Sequence, residues 1–204
     1  MAPVQSKHAT STKYSKQRFA HPFYLPVPHT ARQPINGHTR ITDGQSDTSQ
    51  IDWLKKTLTM IAKSKDKKAL VVATHHPPYS QSGHSGSTEM NQTIDDACTK
   101  AGVTPDLFLS AHAHNYQRYT RHIGGKQVPY IVVGTGGMPP QPVQPANGAP
   151  SGTDLTYDAA ISSYGYLYVT ISDKQLKTDF WQLGQQHNQA FDPIVVDLEN
   201  HVLG

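Results

Sequence analysis

The sequence predicts an α/β fold whose second half is antiparallel, and three observations carry that expectation. An apolar run at residues 69–74 (ALVVAT), a helical pattern and a second apolar run at 106–110 (DLFLS) follow one another within about forty residues, the spacing of a parallel strand–helix–strand unit. Beyond His114, two pairs of strand-like segments flank short turn signals, the pattern of hairpins. Fifteen glycines and fifteen prolines among 204 residues exclude a pure helical bundle.

Each element has a local reason. Residues 1–48 show no sustained period and are broken by Pro3, Pro22, Pro26, Pro28 and Pro34, so they read as an extended basic segment ahead of a domain over 49–204. A helix opens near Ser49, a favourable N-cap, and places Ile51, Leu54, Leu58 and Ile61 on one face. Residues 69–74 read as a fully buried strand, being short, apolar and β-branched. Met90, Ile94, Ala97 and Ala101 mark a second helix that Gly102 ends, and residues 106–110 form the next strand. Residues 117–122 and 127–133 flank Gly124-Gly125, and residues 164–172 and 175–183 flank Asp173-Lys174. The Gly- and Pro-rich stretch 134–153 reads as a long loop, and 193–198 as a last strand. Tyr164, Tyr166 and Tyr168 alternate, and one face of their hairpin reads as core packing rather than a ligand platform.

Charge is uneven. The net charge is +3, but residues 1–42 hold Lys7, Lys13, Lys16, Arg18, Arg32 and Arg40 and no acid. That is +6, leaving 12 basic against 15 acidic residues, or −3, for the rest. The basic segment lacks the dense Lys/Arg run of a nucleic-acid tail, so nucleic acid is not the expected partner. No run approaches the roughly 20 apolar residues of a membrane helix, and no secretory signal is visible near the N-terminus. The expected location is cytoplasmic by default. The single cysteine, Cys98, cannot pair within the chain.

Two histidine clusters lie just past strand ends, where ligands gather in open α/β sheets. The first is Thr74-His75-His76-Pro77-Pro78-Tyr79; the second is Ser110-Ala111-His112-Ala113-His114-Asn115-Tyr116. An extended His-x-His places His112 and His114 on the same side of the chain, and His75 reaches the same edge if the two strands are neighbours. Imidazole suits zinc, iron and manganese. Gly134-Thr135-Gly136-Gly137 lacks the spacing of a phosphate loop, and Gly83-His84-Ser85-Gly86-Ser87 lacks that of a serine hydrolase elbow.

The segments VATHHPPYS and LFLSAHAHNYQRY resemble the calcineurin-like metallophosphoesterases, and more closely the branch containing purple acid phosphatases. Val72 to His75 matches a Val-x-x-His block, Ala111 to His114 a Gly-His-x-His block with Ala111 for the glycine, and Tyr116 to Arg118 a Tyr-x-Arg block. Over roughly residues 45–200 the resemblance implies part of a metallophosphoesterase-type β-sandwich flanked by helices. It implies metal-dependent hydrolysis of a phosphoester small molecule at a dinuclear site of iron, zinc or manganese. His75 and His112 would hold one ion and His114 the other. His76, His84, Tyr116 and Arg118 would face the substrate or support the ligands. Although that family is often exported, no signal is seen here.

The family's first-half blocks, Asp-x-His, Gly-Asp and Gly-Asn-His, are absent from the chain. Asp43, Asp47 and Asn36 are the remaining candidates for their roles. Three neutral histidines cannot offset two adjacent divalent ions, so the expected activity is impaired. The alternatives are a non-catalytic remnant with weak metal binding and an interaction module using the basic segment. The missing strands would leave a sheet edge open, to be covered in an oligomer.

Overall fold

The computed structural model describes residues 41–42, 45–46, 49–184 and 189–204. The chain divides between residues 33 and 34, and the first unit lies outside the described residues. The basic segment expected at 1–48 therefore also lies outside them, apart from two short strands, β1 (Ile41–Thr42) and β2 (Gln45–Ser46), which pair antiparallel.

The helix expected from Ser49 is α1 (Ser49–Lys63), with Leu58 in the core. The second helix is α2 (Thr88–Ala101). Its Ser87 hydroxyl accepts from the Met90 N–H, and Gly102 at φ 68° closes it in the left-handed conformation that glycine adopts without a Cβ penalty.

Between and after the helices run β3 (Val71–Ala73), β4 (Leu107–Ser110), β5 (Tyr116–Ile123), β6 (Lys126–Val133), β7 (Ala149–Pro150) and β8 (Leu155–Ile161). They form one sheet in the order β3-β4-β6-β5-β8-β7. β3, β4 and β6 are parallel, and β5, β8 and β7 follow antiparallel. The Gly124-Gly125 turn joins β5 to β6 with φ of 60° and 76°, the two positive values this hairpin loop requires. A second sheet, β11-β10-β9, consists of β9 (Gly165–Ile171), β10 (Gln175–Gln182) and β11 (Ile194–Asp197), all antiparallel.

The period of two in the strands feeds two separate cores. Phe108 and Tyr130 face the helices with Leu58, Ile94 and Ala97, and their rings stack at 4.8 Å. Their neighbours Leu107 and Ile131 face the other way, against Leu176, Phe180, Ile194 and Val196 of the second sheet. The result is helices, a six-stranded sheet and a three-stranded sheet in succession. Each large apolar side chain sealed in this way contributes roughly 1.5–3 kcal/mol.

Three expectations need correction. The strand at 69–74 is not fully buried: β3 is three residues long, lies at the sheet edge and exposes Ala73. Residues 134–163 hold two strands, β7 and β8, where only a loop was expected through 153. Asp158 interrupts the apolar alternation of β8 and hides it, while Leu155 and Tyr157 do enter the core. Tyr164, just before β9, and Tyr166 and Tyr168 within it are not core residues, since they are 41–59% exposed and Leu167 and Val169 pack inward instead. Among the described residues no helix is long and apolar enough to cross a membrane.

Candidate functional site

Sheet register explains why the two histidine segments meet. β3 and β4 pair in parallel through Ala73↔Leu109. The ladder continues one step past both strand ends, with the Ala111 N–H donating to the His75 carbonyl at 3.1 Å. His75 therefore stands beside the start of the second segment, and its Nε2 lies 3.1 Å from His112 Nδ1. His76 and His84 close around the same point, with ring centroids 4.3 Å and 4.2 Å from that of His112. His84 is 5.9 Å from His114. Five imidazoles thus gather at the carboxyl edge of the parallel strands.

The second segment is not the extended His-x-His expected from sequence. The Ala113 N–H donates to the Ala111 carbonyl at 2.6 Å, and the Asn115 N–H donates to the Ala113 carbonyl at 2.9 Å. These i→i+2 bonds are γ-turns centred on His112 and His114. His112 has φ 56°, the strained hand of that turn. Extended alternation cannot continue because the chain must reverse from β4 into β5 within five residues. The positive φ falls on His112 rather than on Ala111, the position where the resemblance places a glycine.

The surrounding loops hold the turns in place. Gln141 clamps His114 from both sides: its Oε1 accepts the His114 N–H at 2.9 Å and its own N–H donates to the His114 carbonyl at 2.8 Å. Gly134 passes so close that a Cβ there would land inside the Ala113 carbonyl oxygen. Gln117, fully buried, ties the loop after β3 to β5. Its amide donates to Ser80 Oγ, the Ser82 carbonyl and Asn115 Oδ1, and its oxygen accepts from the Gln81 N–H and Tyr119 hydroxyl. Sequence reasoning missed Gln141 and Gln117 as positioning residues. Glutamine carries no chemical signature, and only the fold shows what each one joins.

Among the described residues, the charge-bearing groups of the cluster are all imidazole. The His112 pKa is lowered, first by burial and then by the positive charge its neighbours His76, His84, His75 and His114 would carry if protonated. His76 Nε2 is buried with no hydrogen-bond partner, a donor atom left open. His75 Nε2 and His112 Nδ1, 3.1 Å apart, share a hydrogen bond between the rings; the separation is also close to the roughly 3.4 Å between two nitrogens that each bind one ion at about 2.0–2.1 Å in tetrahedral geometry. The residues present fit a pair of ligands for one ion. Among the described residues, however, no group of three or more His, Cys, Asp or Glu side chains is arranged to hold a metal.

Tyr116 and Arg118 sit apart from the imidazoles, in the packing between the sheets. Tyr116 stacks on Phe180 at 4.3 Å and its hydroxyl donates to Asp192. Arg118 forks onto both oxygens of Asp192 at 2.6 and 3.0 Å and reaches Asp158 at 3.0 Å. Burial works against the guanidinium charge, and the carboxylates of Asp192 and Asp158 more than offset it, so its pKa is raised. Burial and the Asp192 charge also hold the Tyr116 phenol well above its usual range. The protein's own carboxylates thus engage both side chains.

No family model matches the chain, and no curated protein matches it. It is similar in fold to a solved structure described as GAP50, the anchor in the inner membrane complex of Plasmodium, with 18% identity and a TM-score of 0.50. The match covers 71% of this chain and 41% of that one, so the chain spans about two fifths of that neighbour's length. At this identity the likeness concerns the fold. These findings overturn the assignment to the calcineurin-like metallophosphoesterases, since neither the family comparison nor the neighbour's description supports it. The assignment rested on two short segments at adjacent strand ends. Parallel pairing brings together whatever residues stand at two neighbouring strand ends, so the convergence of histidines here does not identify a family.

Proposed function

We propose that the imidazole cluster binds a transition-metal ion through His75 and His112, and that the loaded site takes the phosphate of a small phosphoester and hydrolyses it. The separation of 3.1 Å between the two ring nitrogens carries this reading. A third donor would come from His76 or His84, whose rings already lie within 5.1 Å of a ligand ring. Neutral donors leave the charge of the ion uncompensated, so an anionic ligand such as a phosphate is favoured to complete the site. A bound ion would lower the pKa of a coordinated water and polarise the phosphoryl group. The chain's own residues set the geometry: the ladder bond from Ala111 places His75, and Gln141 orients the turn at His114. In the net reaction, water oxygen bonds to phosphorus, the ester P–O bond breaks and the alcohol leaves with a proton.

A dinuclear site would need His114 and a bridging carboxylate, with Asp43 and Asp47 as the candidates outside the described residues. The cluster itself holds no carboxylate among the described residues, so slow hydrolysis is expected. That gap favours a second reading, a non-catalytic interaction module that binds one metal ion. The description of the structural neighbour as an anchor points the same way. Release of para-nitrophenol from its phosphate, in zinc, manganese or iron, separates the two. The first reading expects metal-dependent release that falls at least about tenfold in His75→Ala and in His112→Ala. Release that survives both substitutions contradicts it, and bound metal without release favours the module.

A further inference from the structure

Among the described residues, one long strand edge of the second sheet stands open. β9 is the outer strand of the order β11-β10-β9. The opposite edge is closed: Val195 of β11 exchanges backbone bonds with Gly204 at 3.1 and 2.9 Å, and the Asp197 N–H donates to the Val202 carbonyl at 2.9 Å. In the six-stranded sheet the outer strands β3 and β7 are three and two residues long, too short to offer much of a template. β9 runs for seven residues, GYLYVTI, without a charge or a proline, the devices that blunt an edge. Two bonds fix which of its backbone groups are free. The Leu183 N–H donates to the Tyr164 carbonyl at 2.9 Å and the Ser172 N–H to the Gln175 carbonyl at 2.8 Å. In antiparallel pairing, the even-numbered residues between them therefore turn their backbone groups to β10 and the odd-numbered ones turn away. Gly165, the first of the odd set, is engaged: its N–H donates to the Thr135 carbonyl at 3.3 Å and its carbonyl accepts from the Thr135 hydroxyl at 2.8 Å. Leu167, Val169 and Ile171 present theirs to a side that holds no strand among the described residues.

The core is unfinished on the same flank. Leu176, Phe180, Ile194 and Val196, on the two strands behind, are sealed. Leu167 and Val169 are only half-buried in that cluster, and Ile171 is 42% exposed. A strand that completes this edge needs branched apolar residues at alternate inward positions and no charge opposite another. β9 itself meets that description. Paired antiparallel with its own copy about a two-fold axis at Val169, it sets Leu167 against the partner's Ile171 and Val169 against the partner's Val169. Those three pairs exchange about six backbone hydrogen bonds. On the outer face Tyr168 then stands opposite the partner's Thr170, and no charged residue of either strand meets another, because β9 has none.

We propose that the open edge of β9 docks a second copy of this chain, β9 to β9, into one sheet continuous across the dimer. So short a contact buries less than the roughly 1,200 Å² of a standard interface, so the dimer is weak, with a Kd on the order of 10–100 µM. Sedimentation equilibrium of the full chain between about 1 and 500 µM should show it. Tyr168→Lys with Thr170→Lys places like charges opposite one another and should weaken the dimer at least about tenfold. Tyr168→Lys with Thr170→Glu places opposite charges there and should stay within about threefold of wild type. Both positions are exposed, and circular dichroism checks that each variant is folded. Amide exchange at Leu167, Val169 and Ile171 of the wild type, which needs no variant, should slow as concentration rises. A chain that stays monomeric over the whole range would overturn the proposal, as would equal effects of the two double variants. Protection of the three amides that does not change with concentration would overturn it too, as the mark of an edge covered within the chain.

Discussion

His112 holds a conformation that its residue type disfavours. At φ 56° a non-glycine residue carries of order 1 kcal/mol of strain or more, and the γ-turn keeps its ring against His75. If that strain serves the site, His112→Gly should leave stability unchanged or raise it by up to about 1 kcal/mol, while metal binding falls. Urea unfolding with and without zinc checks both halves, and a clear loss of metal-free stability would mark His112 as a packing residue instead. At this scale the sequence was legible in part. The types and spacing of His75, His112 and His114 pointed to one edge, and His75 and His112 do meet. The turn was not legible, because nothing in Ala-His-Ala-His distinguishes an extended run from two γ-turns. That depends on how soon the chain must enter β5.

The elements explain why the cluster has a fixed shape. Gly134, immediately after β6, runs against the Ala113 carbonyl, between the two γ-turns. Gly134→Ala should therefore push the turn segment away and cost about 1–3 kcal/mol as overpacking. It should also weaken metal binding without touching a ligand. Thermal unfolding and a zinc titration on the same sample would show this; a variant as stable as wild type with intact binding would mean the backbone contact matters little. Both helices, the β5–β6 and β9–β10 hairpins and β11 were readable, because α1 and α2 have clear apolar periods and the hairpins have turn residues of the right type. β8 was not readable, since its register shifts at Asp158 and breaks the alternation: Leu155 and Tyr157 face one core, Ala159 and Ile161 the other. The outward turn of the β9 tyrosines was hidden for a related reason: alternation names two faces and does not say which is covered.

Across the whole molecule, one ion-pair group spans the two sheets. Arg118 on β5 holds Asp158 on β8 and Asp192, which leads into β11. These side chains are only 12–17% exposed, so removing the arginine leaves carboxylates poorly solvated and unpaired. Arg118→Ala should cost about 3–5 kcal/mol and should leave metal affinity within about twofold, as expected for a residue outside the cluster. A loss of affinity at unchanged stability would return Arg118 to the site. The sequence marked Arg118 only through a resemblance that the comparisons do not uphold. Its partner Asp192 lies 74 residues away, a distance that no local pattern reports.

The central claim is that imidazoles brought together by parallel strand pairing bind a transition metal. Elemental analysis after chelator stripping and reloading with zinc, manganese or iron tests it most directly, on the wild-type chain and His112→Ala side by side. The account predicts at least about one ion per wild-type chain and a near-empty variant that remains folded by circular dichroism. No retained ion in the wild type, or equal occupancy in the two proteins, would contradict it.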